Sequence, residues 1–187
     1  MLLARGKRLW SMTDFLILDP NGLRAELTRE SGWEYTLRVD TQEYVIEWTP
    51  FGVESEELEV YGQRLVGLSK AGTLMLAAYG HRQGRRIGEY HVPFADVVYS
   101  VRSPWFEPYS VRVGDRVVGT IDFRSWDVKR RFLIDLPAEL PLLLQILLFH
   151  VVVQLVWRYL DSDFELRLRG RGHAHLGFIG TGSFGVQ

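Results

Sequence analysis

Residues Phe132 to Arg158 read FLIDLPAELPLLLQILLFHVVVQLVWR, and whether this apolar run sits in lipid or inside the protein decides the fold. From Ala138 the chain is long enough for about six helical turns, and the pattern predicts a helix over about 138–160. Pro137 and Pro141 fall before it and in its first turn, where a missing N–H is tolerated, and Arg158 lies near its end, where the helix dipole favours a cation. At ~100° per residue, Leu142, Leu143, Leu144, Ile146, Leu147, Leu148, Phe149, Val151, Val152, Val153, Leu155 and Val156 cover almost the whole circumference, so the helix must be surrounded by apolar material. Gln145, His150 and Gln154 interrupt it, and His150, Gln154 and Arg158 share one stripe at i, i+4 and i+8. The uncharged part after Pro141 is about 16 residues, short of the roughly 20 that span a bilayer. The first expectation is a buried core helix. The alternative is a tail-anchored protein with helix 141–160 inserted and a role in lipid transport, because Lys129, Arg130 and Arg131 precede the run and Asp161 and Asp163 follow it.

Upstream the dominant period is two. FLILD (15–19), EYTLRVD (34–40), YVIEW (44–48), TLMLAAY (73–79), YSVRV (109–113), VVGTIDF (117–123) and RFLID (131–135) are short and rich in β-branched or aromatic residues. Turn chemistry bounds them: Pro20-Asn21-Gly22, Phe51-Gly52, Ala71-Gly72 and Gly114-Asp115. This is an antiparallel all-β pattern. Residues 15–40 also align loosely with 109–135, as strand, tight turn, strand, Trp-bearing connection and strand, and 73–92 repeats part of that unit. Recurring meanders of this kind predict a sheet that closes on itself.

Meanders followed by a wholly apolar helix resemble the tubby-like superfamily, including the phospholipid scramblases and the plant LURP-one-related proteins. The matching features are Val118-Gly119-x-Ile121, then Trp126, then Phe132-Leu133-Ile134 before Asp135-Leu136-Pro137, and then the helix. The resemblance covers roughly 10–160 and implies a mainly β fold, a closed antiparallel barrel of about twelve strands around one central hydrophobic C-terminal helix. It implies a non-enzymatic module that binds lipid, a membrane surface or a protein partner. The calcium-associated acidic segment that scramblases carry before this helix is replaced by SWDVKRRFLIDLPAE, with isolated Asp127 and Asp135 on either side of a basic triplet, so the resemblance does not extend to calcium dependence or to scrambling.

The whole chain agrees with one domain. Its 187 residues carry a formal charge of −1 and no cysteine, which excludes disulfides, thiol chemistry and nucleic-acid binding driven by bulk charge. No cofactor is expected. MLLARGKRLW lacks the apolar core and cleavage site of a secretory signal, and the reading is a cytoplasmic protein, peripheral to a membrane if it meets one. Residues 1–160 are expected to form the barrel domain, 161–169 an edge strand and 170–187 a mobile glycine-rich tail.

No arrangement of residues spells out catalysis. GTGSFG (180–185) matches a phosphate-loop spacing but lacks the following strand and lysine. His173 and His175 have no carboxylate near them in sequence, and His81 and His91 have no adjacent nucleophile. His150 is expected to be neutral and hydrogen-bonded to a backbone carbonyl or Gln154. Glu54, Glu56, Glu57 and Glu59 read as a solvated face. Two basic clusters remain: Arg82, Arg85 and Arg86 around a glycine turn, and Lys129, Arg130 and Arg131 before the last strand. If both fall on one rim they are candidates for anionic lipid headgroups, with Trp105 and Phe106 as an apolar foot beside them.

Overall fold

The structure is a computed structural model and describes residues 1–7, 13–31, 34–48, 64–83, 86–102, 108–124 and 131–156. Trp105, Phe106, Arg85, Lys129, Arg130, the 54–59 acidic run and everything beyond 156 lie outside these residues. Met1–Leu155 forms one compact unit.

Twelve strands make up that unit: β1 (Leu2–Gly6), β2 (Phe15–Asp19), β3 (Gly22–Ser31), β4 (Glu34–Val39), β5 (Gln42–Trp48), β6 (Arg64–Lys70), β7 (Thr73–Gln83), β8 (Arg86–Phe94), β9 (Val97–Arg102), β10 (Tyr109–Val113), β11 (Arg116–Arg124) and β12 (Arg131–Asp135). They form a closed barrel in which each strand pairs antiparallel with its sequence neighbours, and β1 pairs with β12 to complete the ring. Period-two patterning does what it should. In β2, Phe15 and Ile17 are buried while Leu16 and Leu18 are half-buried, and in β12, Phe132 and Ile134 are buried on either side of Leu133.

A repeat is visible in the register, and it pairs 15–40 with 109–135 as the sequence suggests, but its middle copy starts with β6 and not at Thr73, because 73–92 spans β7 and β8 on either side of a different connection. In each of the hairpins β2–β3, β6–β7 and β10–β11, two residue pairs follow a two-residue turn and then one extra residue bulges from the second strand: Arg24, Met75 and Val118 respectively. The intervening hairpins β4–β5 and β8–β9 pair without interruption. A bulge bends and twists its strand, so the ring is built from three bent hairpins alternating with straight ones. The β10–β12 unit lacks a fourth strand of its own, and β1 occupies that place.

All five hairpin turns at one end of the barrel, 20–21, 40–41, 71–72, 95–96 and 114–115, have two residues. Asp40, Ala71 and Ala95 take left-handed φ values of 52°, 49° and 51°, and Gly72 and Gly114 do so at no steric cost. The other end carries the connections 7–14, 32–33, 49–63, 84–85, 103–108 and 125–130.

The chain leaves β12 at the tight-turn end, and helix α1 (142–156) follows Pro141, whose carbonyl accepts the first helical hydrogen bond, from Gln145 N–H at 3.1 Å. The helix starts four residues later than the pattern suggests. Residues 138–141 form a turn, with Leu140 N–H bonded to Pro137 O, because this segment must first fold back over the barrel end. There Leu136 lies buried against Gly119, where an added Cβ would meet Asp135 O at 2.5 Å and Leu136 Cδ2 at 2.6 Å. From Leu144 to Val156 every helical residue is buried. A barrel of eight strands is filled by its own side chains; twelve leave room for a helix ~10 Å across. The apolar run is therefore enclosed by protein. Among the described residues no helix is long and apolar enough to cross a membrane.

Candidate functional site

The polar stripe of α1 meets two adjacent strands. Trp48, the last residue of β5, donates its indole N–H to His150 Nε2 at 2.7 Å, and Gln154 Nε2 donates to the Tyr35 hydroxyl of β4 at 2.8 Å. The expected partner of His150, a backbone carbonyl or Gln154, is thus replaced by a side chain of the barrel wall, Trp48 of β5. The Tyr35 ring packs edge-on against it at 4.4 Å. With Nε2 accepting, the neutral ring carries its proton on Nδ1, which has no hydrogen-bond partner among the described residues. Complete burial pushes the His150 pKa down to about 3, so the ring is neutral. Beside it, Phe15, Phe132 and Phe149 meet edge to face at 5.2–5.7 Å. This centre fixes the depth and rotation of α1, and it has the character of a core.

Glu89, His91 and Ser100 come together on the wall, a proximity that the sequence hides because β8 and β9 supply them separately. His91 faces Ser100 in register. A nucleophilic triad needs the imidazole between hydroxyl and acid. Here the carboxylate is in the middle: Glu89 accepts from Arg102 Nε at 2.9 Å, is hydrogen-bonded by Ser100, and lies 3.4 Å from His91 Nε2. Partial burial raises the Glu89 pKa, but the bonds from Arg102 and Ser100 and the charges of Arg102 and His91 outweigh it and hold the group below its ordinary value. The arrangement is an ion-pair network. Among the described residues no three His, Asp or Glu side chains converge as a metal site would require.

The described members of the two basic clusters, Arg82, Arg86 and Arg131, fall on the same end of the barrel, the one opposite the tight turns. Arg82 and Arg86 flank the 84–85 connection, Arg82 next to last in β7 and Arg86 first in β8, and Arg131 opens β12 directly after 125–130. Arg131 is exposed. The topology adds arginines that sequence reasoning missed. Arg64 opens β6, Arg102 closes β9, Arg124 closes β11, and Arg5 lies next to the end of β1. Arg124, Arg131 and Arg5 are register neighbours across β11, β12 and β1. Every strand from β6 around to β1 except β10 thus has an arginine at or next to its terminus on this end. The signal was available in the sequence, since each arginine stands where a strand meets its turn, but strand polarity was needed to put them at one end.

The remaining arc has the opposite sign. Glu30, Glu34 and Glu47 are exposed near the same end of β3, β4 and β5, and Glu34 faces Glu47 directly, an arrangement that costs stability. In a ring of twelve, β5 stands across from β11. Lys7 is held by Glu26 and Thr28 on the intermediate sector. Among the described residues, acidic groups thus gather on β3 to β5, with Arg29 of β3 beside them, across the ring from Arg124 of β11. Comparisons with protein-family models, with curated proteins and with solved structures found no match to this chain.

Proposed function

We propose that the chain is a non-enzymatic tubby-like module that docks on an anionic membrane surface through the arginine-bearing arc of one barrel end, with Arg82, Arg85, Arg86, Lys129, Arg130 and Arg131 at its centre. The observation that carries this reading is that Arg82, Arg86 and Arg131 lie on one end, through the shared polarity of β7, β8 and β12. Guanidinium groups bind phosphate oxygens in pairs, and each cation close to an anionic leaflet contributes about 1 kcal/mol that salt screens away. The other end has mixed charge and two-residue turns, which leaves little chain there to adapt to a ligand. The buried helix inside the barrel favours a surface contact over an internal substrate.

Cosedimentation with vesicles of phosphatidylserine and phosphatidylcholine at low salt tests the proposal. Binding is expected to rise with phosphatidylserine content, fall steeply with added salt, and drop on charge reversal of Arg85, Arg86, Arg130 and Arg131. Equal binding to neutral vesicles, or no effect of the reversal, would overturn it. In the second case a protein partner becomes the better reading.

A further inference from the structure

The outer wall of the barrel is polar on β4, where Glu34, Thr36 and Arg38 alternate with buried Tyr35 and Leu37. It is not polar around the seam. Leu23 of β3, Leu18 of β2, Leu3 of β1 and Leu133 of β12 follow one another in register, each paired with the next, and all four point away from the core. Leu23 is 59% exposed and the other three are half-buried. Four adjacent strands thus carry a continuous leucine row on their solvent side, the placement that marks an interaction surface. Along β12 the outward residues read Arg131, Leu133, Asp135: cation, apolar, anion, with Arg131 and Asp135 both exposed.

That order is the complement of itself when a second copy is turned around. We infer that this face is a two-fold interface between copies of the chain, with β12 lying antiparallel over β12 of its partner and the axis passing near Leu133. An isologous contact requires a patch complementary to itself. Here leucine row meets leucine row, and Arg131 of each copy meets Asp135 of the other. Four strands at ~4.8 Å spacing and ~15 Å of strand length give a footprint of roughly 300 Å² per copy, well under the ~800 Å² per partner of a standard interface, so the association is weak and reversible and leans on the two charge pairs for its register.

Sedimentation velocity of the full chain, from micromolar to submillimolar concentration and without lipid, tests this. The wild type is expected to show a monomer–dimer equilibrium, and Leu133→Asp to remain monomeric with an unchanged far-UV spectrum and melting temperature. Arg131→Asp alone places Asp against Asp twice, and Asp135→Arg alone places Arg against Arg twice; each is expected to weaken the dimer about tenfold or more. Mixed one to one, the two variants restore both complementary pairs, and a heterodimer is expected. A wild type that stays monomeric throughout, a dimer indifferent to Leu133→Asp, or a mixture no better than its components would overturn the inference. Charge reversal of Arg82 and Arg86, which lie off this face, is expected to leave the dimer intact while reducing vesicle binding, so the two proposals fail independently.

Discussion

Trp48 and His150, at the end of a strand and in the middle of a helix, are joined by a buried 2.7 Å hydrogen bond between indole N–H and imidazole Nε2. No other described polar group serves that nitrogen. Trp48→Phe should therefore leave a buried acceptor unsatisfied and open a void, at a cost of about 2–4 kcal/mol. Denaturant unfolding followed by circular dichroism measures it.

His150 also sets a pH dependence. Its folded pKa, about 3, lies below the unfolded value of 6.5. Between those values the unfolded chain takes up a proton that the folded one refuses, so this contribution to stability is present above pH 6.5 and is lost as the pH falls toward 3. The slope approaches at most about 1.4 kcal/mol per pH unit. In His150→Leu this part of the slope should vanish, and the difference in unfolding free energy between wild type and variant should change with pH over that window.

The Gln154–Tyr35 bond allows a cycle. Tyr35→Phe removes the hydroxyl that Gln154 Nε2 reaches and should cost about 1–3 kcal/mol. Adding Gln154→Leu should recover part of that loss, because the stranded amide goes with it. Non-additivity of about 0.5 kcal/mol or more across the four proteins is the expected readout.

Gly119→Ala should destabilise by about 1–3 kcal/mol, since the new methyl would press on the backbone carbonyl of Asp135 and on Leu136. Gly67→Ala is the control. Its methyl would meet only Leu74 Cδ1, at 3.0 Å, the tip of an exposed side chain that can turn aside. Thermal melts of the two variants should separate clearly.

Most strands and the helix were legible because burial imposes a period, and Phe15, Ile17, Phe132 and Ile134 stand where the alternation puts them; β6 and β9 were not read, since Gly67 and Ser69 in one and Ser100 in the other blur the alternation. β1 was not legible as a strand: Leu2 to Gly6 is five residues long with Arg5 inside it, and its place is set by partners in β2 and β12. The helix start was misjudged because Ala138 and Glu139 favour a helix locally, while the packing of Leu136 over Gly119 requires a turn first. The partner of His150 was hidden for a simpler reason. A polar residue in an apolar helix announces that it must be satisfied, but not from which strand. The arginine arc depends on strand direction in the same way: Arg5 and Arg131 become neighbours only when the ring closes.

That closure has a consequence for how the chain reaches its native state. Leu2 pairs with Ile134, so one strand must wait for another that is synthesised well over a hundred residues later. In the interval the growing sheet has two open edges, and the Leu- and Val-rich segment that fills it has not yet left the ribosome. Sealing the seam and seating α1 are then one late, long-range event, the kind of step that slows folding and leaves sticky edges exposed. A permuted chain that joined β12 to β1 directly and supplied the helix elsewhere would turn the slowest contact into a local one.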